Sequence, residues 1–385
     1  MKYKLKEISE IICGGTPSTN NPTYWNGSIL WVTPKDLSLL NGAKYIQETA
    51  QNISEEGVKS SSAKIVPANS VILSTRAPVG YVGISKFPMA TNQGIKSIIV
   101  NQTIADAEYV YYLLLTQTKN LELKASGSTF KELSTDSLKN YEIDLPSIDQ
   151  QHSITNILGT IDKKIEICKK MIKILDQHLT ELFDYKYLAY KDYKLVWNDK
   201  MNKFVPEGWQ VFQLGELFSF VKGKIPTILQ EIQDKICDSV YLTIDAVNGG
   251  KEMYCSSKNM PHSKGNVLMV MDGAASGDVY VGYDGVVGST FCMLETKQQF
   301  VSNSFLYQIL TRYSANYKKT NVGSTVPHAN KDYIQTMLIA LPTKIDSQFD
   351  FFRYKIIKLT KQIKKLQELR NYLLPLLMNG QVTVQ

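Results

Sequence analysis

The chain repeats itself once, and that doubling limits the folds open to it more than any other feature. The run KLKEISEIICGGTPST at residues 4–19 aligns with QLGELFSFVKGKIPT at 213–227 when the second is set back by 209 positions. Leu5, Glu7, Ile8, Ile11, Gly14 and Pro17 then face Leu214, Glu216, Leu217, Phe220, Gly223 and Pro226, and Asp36 of WVTPKDL falls over Asp245 of YLTIDAV. Further on the offset is 196: Val71 meets Val267, Gly127-Ser128-Thr129 meets Gly323-Ser324-Thr325, and Leu145-Pro146 meets Leu341-Pro342. The second copy has lost a net 13 residues in between, a change that loops absorb. A repeat found before any element is assigned fixes the architecture that every later motif must fit.

Each copy shows one order of elements. A short amphipathic helix is expected to end at Gly14 or Gly223, where glycine can take the left-handed cap conformation. Strand-like runs follow at 70–73, 95–100, 266–271 and 279–283, separated by Gly, Pro, Asn and Asp. A helix at 109–116 or 304–313, a polar loop with Gly-Ser-Thr and a last strand ending at Leu-Pro complete a mixed α/β unit of about 140 residues.

Beyond each Leu-Pro the apolar period changes. Ile161, Ile165, Cys168, Ile172, Leu175, Leu179 and Leu182 alternate in steps of four and three, a heptad seam. Phe352, Ile356, Leu359, Ile363, Leu366, Leu369, Leu373 and Leu376 offer a second. At 1.5 Å per residue, a helix of about 35–40 residues would run roughly 55 Å. Two matching seams in one chain are expected to pack antiparallel, with one head at each end and a pseudo-twofold axis. The expected fold class is therefore α+β: two pseudo-repeated α/β domains joined by two long antiparallel coiled-coil helices. The boundaries read as a first head at 1–148, a long helix at 149–188, a polar connector at 189–206, a second head at 207–344 and a second long helix at 345–385.

Composition agrees with two cores and narrows the function. A chain of 385 residues, 43% apolar, can bury two ordinary cores. Its longest apolar run, 110–115, is far below the roughly 20 residues of a membrane span, and no secretory leader opens it, so a cytoplasmic location is expected. The five cysteines, Cys13, Cys168, Cys237, Cys255 and Cys292, form no close pair, which argues against a disulfide framework or a zinc ribbon. The net charge of +7 suits a polyanionic partner. The basic stretch 345–379 reads as a solvated helix face.

Catalytic patterns fall short. Asn21-Pro22-Thr23-Tyr24 is one residue away from an amino-methyltransferase tetrapeptide, but no glycine-rich cofactor turn accompanies it. Glu122-Leu123-Lys124 supplies a fragment of a metal-nuclease motif without its upstream acid. No phosphate-cradling GxxxxGK[ST] is present, and His152, His178, His262 and His328 lack ligand spacing. A self-contained methyltransferase or nuclease is the alternative to a binding module. The differing polar identities at equivalent positions of the two copies favour the module.

The motif order resembles the specificity subunits of type I restriction-modification systems: a helix with GGTPS, then WVTPKDL, a strand pair with TNQG, then GST, Leu-Pro and a long helix. The second half opens with VPEGWQVFQLGEL at 205–217, similar to the Pro-x-Gly-Trp-x-x-x-x-Leu-Gly-Glu start of that family's second target-recognition domain. The resemblance spans essentially the whole chain. The second copy departs from it with KGKIP at 222–226 where the first has CGGTP at 13–17, a difference read as a different base preference.

What the resemblance implies is a non-catalytic reader of an asymmetric, two-part target on double-stranded DNA. Each head would read a few base pairs, and the helix pair would set the spacer; one DNA turn is about 34 Å. The partners implied are two modification (methyltransferase) subunits and, where the system has them, restriction and translocase subunits. No cofactor or metal is expected in this chain. S-adenosylmethionine would belong to the modification subunit, and ATP and Mg to the restriction subunit. Base edges are read by Arg, Lys, Asn, Gln, Ser and Thr, and phosphates are held by Lys and Arg. The DNA-binding candidates are thus Thr16, Ser18, Thr19, Lys35, Arg76, Asn92, Gln93, Ser128, Thr129 and Lys131 in the first head. In the second they are Lys222, Lys224, Thr227, Ser276, Arg312, Lys318, Lys319, Ser324, Thr325 and His328.

Overall fold

The computed structural model describes residues 1–76, 78–127, 131–322 and 327–382. The chain divides into two compact units, one of Met1–Cys168 with Gln362–Gln385, the other Lys169–Lys361. Each unit takes one head together with part of both long helices.

In the first unit, Val71–Thr75 is buried throughout and Ile95–Val100 almost throughout, so neither shows the strict alternation of a half-buried strand, and Ser74, Thr75, Lys96 and Ser97 are buried with their apolar neighbours. They lie inside a five-stranded sheet ordered Ser9–Cys13, Ile95–Val100, Val71–Thr75, Val79–Ser85, Tyr45–Ile46. A three-stranded sheet orders Gln51–Ile53, Trp25–Val32 and Ala90–Thr91, and Lys2–Lys4 pairs with Glu142–Asp144. The helix Ala107–Thr116 starts where the Asp106 carboxylate accepts from the amides of Glu108 (2.6 Å) and Tyr109 (3.0 Å), satisfying donors that a first turn leaves open. Its Tyr109, Val110, Tyr112 and Leu114 share a core with Leu5, Ile8, Val71, Leu73 and Ile98. Full burial of one such aliphatic side chain contributes roughly 1.5–3 kcal/mol.

The second unit repeats this plan at the level of register. Ser9↔Val100 through Cys13↔Lys96 in the first unit becomes Phe218↔Thr296 through Lys222↔Cys292 in the second, and Val71↔Ile98 becomes Val267↔Leu294. In these strands both offsets read from the sequence carry over residue for residue. The parallel pair of Trp31 with Ala90 recurs as Tyr241 with Val286, an offset of 210 on the first strand, so Thr33 matches Thr243 as a helix N-cap and Asp36 falls over Ala246 instead of Asp245. The second core gathers Leu217, Phe218, Val267, Met269, Leu294, Phe305 and Ile309.

Several local expectations are corrected. The opening helix is Leu5–Ile8 only, and its counterpart Leu214–Leu217; Ser9–Cys13 and Phe218–Lys222 are strands, because pairing with a central strand overrides the apolar spacing. Gly14 and Gly223 therefore cap no helix, and neither has positive φ. Glycine is required there because a Cβ would lie 1.9 Å from Asn92 O in one unit and 2.0 Å from Gly288 O in the other. The run at 279–283 keeps only Val279–Tyr280 as strand. The connector is no plain polar linker, since Leu195–Asn198 and Lys203–Pro206 form a hairpin.

The long helices are Ile148–Phe183 and Gln348–Met378, the first ending in a π turn at Asp184–Leu188. In the first unit, Arg370 Nη1 donates to Asp162 Oδ1 at 3.0 Å and Cys168 Sγ lies 3.9 Å from Gln362 Oε1. In the second, Arg353 Nη1 donates to Asp176 Oδ1 at 3.0 Å and Lys186 pairs with Asp346. Within each unit the partners' numbers rise on one helix as they fall on the other, so the pairing is antiparallel.

Ile161, Ile165, Cys168, Leu179 and Ile356 are buried, and Ile172, Leu175, Leu182, Phe352, Leu359, Ile363, Leu366, Leu373 and Leu376 half-buried. Leu369 is 45% exposed, against the expectation for a seam residue, while Leu377 is buried in the core. A straight helix drifts by about 20° per heptad, and here the drift turns Arg370 inward in place of Leu369. Arg353 and Arg370 thus leave the solvated face expected of the basic stretch. Among the described residues, no helix is long and apolar enough to cross a membrane.

Candidate nucleic-acid interface

Polar loops gather at one end of the strands of the five-stranded sheet in the first unit, the edge where Ser9–Cys13 and Val71–Thr75 finish and Ile95–Val100 begins. The amide of Gly14 donates to Ile95 O (3.2 Å), that of Gly15 to Thr91 O (2.8 Å), that of Thr75 to Gly94 O (2.8 Å) and that of Leu133 to Thr75 O (2.9 Å). These bonds bring residues 14–19, 91–94, 75–76 and 131–133 side by side. Thr16 Oγ1 bonds Gln93 Oε1. Asn92 Oδ1 accepts from the Gly94 amide at 2.9 Å, and a Cβ on Gly94 would come within 3.2 Å of the Arg76 side chain. The Asn92 amide donates to Val32 O at 2.9 Å, and Lys35 lies three residues beyond Val32 in the short helix Pro34–Ser38. Thr16, Ser18, Thr19, Lys35, Gln93 and Lys131 are exposed, Asn92 and Arg76 half-buried.

The second unit makes the same bonds with other side chains. The amide of Gly223 donates to Phe291 O (3.0 Å), that of Lys224 to Val287 O (3.0 Å), that of Met271 to Thr290 O (2.8 Å) and that of Ala329 to Met271 O (2.9 Å). Lys222, Lys224, Thr227 and His328 are exposed here. Lys222 and Lys331 approach the Cys292 thiol; burial raises its pKa, and the two ammonium groups only partly offset that. Lys318 pairs with Asp278, and Lys319 follows it, exposed, at the helix end.

Not every candidate belongs to these clusters. Ser276 is buried at 3% exposure, and Asn321 Nδ2 donates to its Oγ (2.7 Å) and its carbonyl (3.2 Å), which makes it a turn residue and not a surface reader. Arg312 is held by Asp184 at 2.6 Å, at the end of the first long helix and not by any loop of the cluster. Ser128, Thr129, Ser324 and Thr325 lie outside the described residues. Sequence reasoning missed Glu132, the ionic partner of Arg76, and Asp272, whose Oδ1 lies 2.6 Å from His328 Nδ1. The signal was available, because the 196-residue offset lays Arg76 over Asp272 and Glu132 over His328.

These edges offer hydroxyl, amide, guanidinium and ammonium groups, which can hydrogen-bond base edges and phosphates. Among the described residues of these loops, no hydroxyl is hydrogen-bonded to a histidine. The nearest approach to a nucleophile with its base lies elsewhere in the second head. There Ser239 Oγ is 2.9 Å from His262 Nε2 and Asp284 Oδ1 is 3.7 Å from the same nitrogen. A relay needs the carboxylate on the other ring nitrogen, yet Nδ1 is buried with no hydrogen-bond partner. Among the described residues, no cluster of His, Cys, Asp and Glu could hold a metal ion.

Comparison with known proteins assigns the arrangement. The family model of the type I restriction modification DNA specificity domain matches residues 1–177 and 206–369. The specificity subunit of the type I restriction enzyme MjaIX from Methanocaldococcus jannaschii is 30% identical over 99% of this chain and 93% of its own length. The EcoR124I/EcoR124II specificity subunit of Escherichia coli is 32% identical over 41% of this chain and 40% of its own. In fold, the chain is similar to the crystal structure of a type I S subunit from M. genitalium, with a TM-score of 0.64 and 18% identity, covering 98% of this chain and 95% of that one. A doubled α/β head, two packed long helices and a family match across both copies lead to one conclusion: the chain belongs to the type I restriction-modification specificity subunits, non-catalytic proteins that recognise the DNA target.

Proposed function

We propose that each head reads one half of an asymmetric, two-part target, and that the paired long helices hold the unread spacer between the halves. The observation that carries this reading is one backbone frame presenting two sets of side chains. Thr16, Asn92 and Gln93 stand at the edge in the first unit, and Lys222, Lys224 and His328 in the second. A common frame docks in a common way, and unlike side chains read unlike bases. Ser18, Thr19, Lys35 and Lys131 in the first head, and Thr227, Lys318 and Lys319 in the second, complete the proposed contacts. The lysines face phosphates, and the hydroxyl and amide groups face base edges.

The chemistry belongs to partners. Two modification subunits dock on this chain and bring S-adenosylmethionine for methyl transfer to adenine N6. A restriction subunit, where present, brings ATP and Mg. The chain works in the cytoplasm, where its DNA is. Single-molecule methylome sequencing of a host that expresses the chain with its modification subunit tests the reading. The expected motif is gapped and asymmetric, with N6-methyladenine in both halves; a continuous palindrome would overturn it.

A further inference from the structure

The second head exposes aliphatic side chains where the first exposes polar ones. Ile225 is 74% exposed, Ile228 56% and Leu229 43%. The offset of 209 lays them over Thr16, Thr19 and Asn20, which are exposed as well. The backbone supports this match, since the Gly15 amide donates to Thr91 O as the Lys224 amide does to Val287 O. None of the three aliphatic side chains joins a buried cluster of the second head.

The backbone that presents them is tied down on both sides. The Lys224 amide bonds Val287 O at 3.0 Å, and Gln230 and Tyr254 exchange amide bonds of 3.0 and 2.8 Å. Between these ties Ile225, Ile228 and Leu229 are held in water, a placement that the hydrophobic effect opposes. Cations border the stripe on one side, where Lys222 and Lys224 are exposed. On the other side the acid Glu231 is paired with Lys251. The stripe continues the edge that carries Lys222, Lys224 and Thr227, which favours DNA over a protein as the surface that covers it. In the major groove, the apolar group that a base edge offers is the thymine C5-methyl. An isoleucine cannot take over a hydrogen bond from threonine or asparagine, but it can cover that methyl.

We propose that Ile225, Ile228 and Leu229 cover thymine methyl groups in the half-site of the second head. That half is then read in part by apolar contact, while the equivalent positions of the first head read theirs by hydrogen bonds. This rests on the reading that the loop edges face DNA.

The test starts from the DNA, where no variant can misfold. The full chain with its modification subunits is bound to a duplex carrying the methylome-derived target, with deoxyuridine in place of thymine. The exchange removes the methyl and keeps every hydrogen-bonding group. In the half-site that an exchange of the first head leaves unaltered, each contacted thymine is expected to lose about fourfold in affinity, the worth of one buried methyl group, against under about twofold in the other half. Equal losses in both halves, or none in the second, overturn the proposal. Ile225→Thr/Ile228→Thr/Leu229→Asn installs the first head's side chains. It is expected to weaken binding about tenfold or more and to bind thymine and deoxyuridine duplexes alike, with thermal unfolding as the check that it folds. A triple variant that keeps its DNA affinity but releases a modification subunit would assign the stripe to protein and overturn the proposal. Lys224→Glu separates the two layers. If it leaves the second half-site bound as before, the loop edge does not face DNA and the underlying reading fails; if it weakens binding while deoxyuridine has no effect, only the methyl contact fails.

Discussion

Gly14 and Gly223 stand where strand meets loop, and each is pressed against a carbonyl of the strand-entry segment beside it. The close approach lets Gly15 and Lys224 donate to Thr91 O and Val287 O, which draws the polar loop onto the sheet edge. A methyl group cannot enter without moving backbone on one side. Gly14→Ala is therefore expected to destabilise the protein by about 1–3 kcal/mol, the usual cost of overpacking, and to weaken recognition of the first half-site more than of the second. Urea denaturation and half-site binding check this, and wild-type values in both would show that the approach is not needed. The sequence marked both glycines as special but pointed to a helix cap. The reason lies in Asn92 and Gly288, some 70 residues away in the chain, and no local pattern carries it.

The long helices divide in the same way between what periodicity shows and what it hides. Ile161, Ile165, Cys168 and Leu179 were legible as a seam because burial along a helix repeats every three or four residues. Arg370, within the basic stretch, reads as a solvated charge, and Asp162 drew no attention, since an ion pair between helices leaves no periodic trace. In the fold, Asp162 accepts from Tyr112 Oη at 2.5 Å and from Arg370 Nη1 at 3.0 Å, with the acid 11% and the arginine 18% exposed. Removing one partner strands the other in a poorly solvated place. Arg370→Met is expected to cost about 3–5 kcal/mol, and Asp162→Leu/Arg370→Met far less, because replacing a whole buried pair by apolar groups is often nearly neutral. Chemical denaturation of the two variants decides it. Equal losses would mean that the pair contributes more than its mutual neutralisation.

For the whole molecule, the question is whether the heads read independently. Among the described residues, the hydrogen bonds that build the first loop cluster are internal to the first unit, and each unit has its own buried core. A head can therefore be replaced without disturbing the loops of the other, provided the junction is respected. A cut at Pro146 crosses the core, where Ile154, Leu158 and Leu377 pack with residues of the head, and it crosses hydrogen bonds as well. Gln151 is fully buried; its Oε1 accepts from the Asp106 amide at 2.9 Å and its Nε2 donates to Ile104 O and Pro146 O. Tyr112 meets Asp162 across the same junction. The donor for an exchange of residues 1–146 must therefore keep the backbone course at 104–106, an apolar face for Ile154, Leu158 and Leu377, and a tyrosine at 112. With such a donor, the methylome motif is expected to change in one half only, while the other half and the spacer stay as they were. A wrong base pair costs about 1–3 kcal/mol, so several of them remove the old half-site from the methylome altogether. A motif altered in both halves would mean that the heads are coupled, and independent reading would have to be given up.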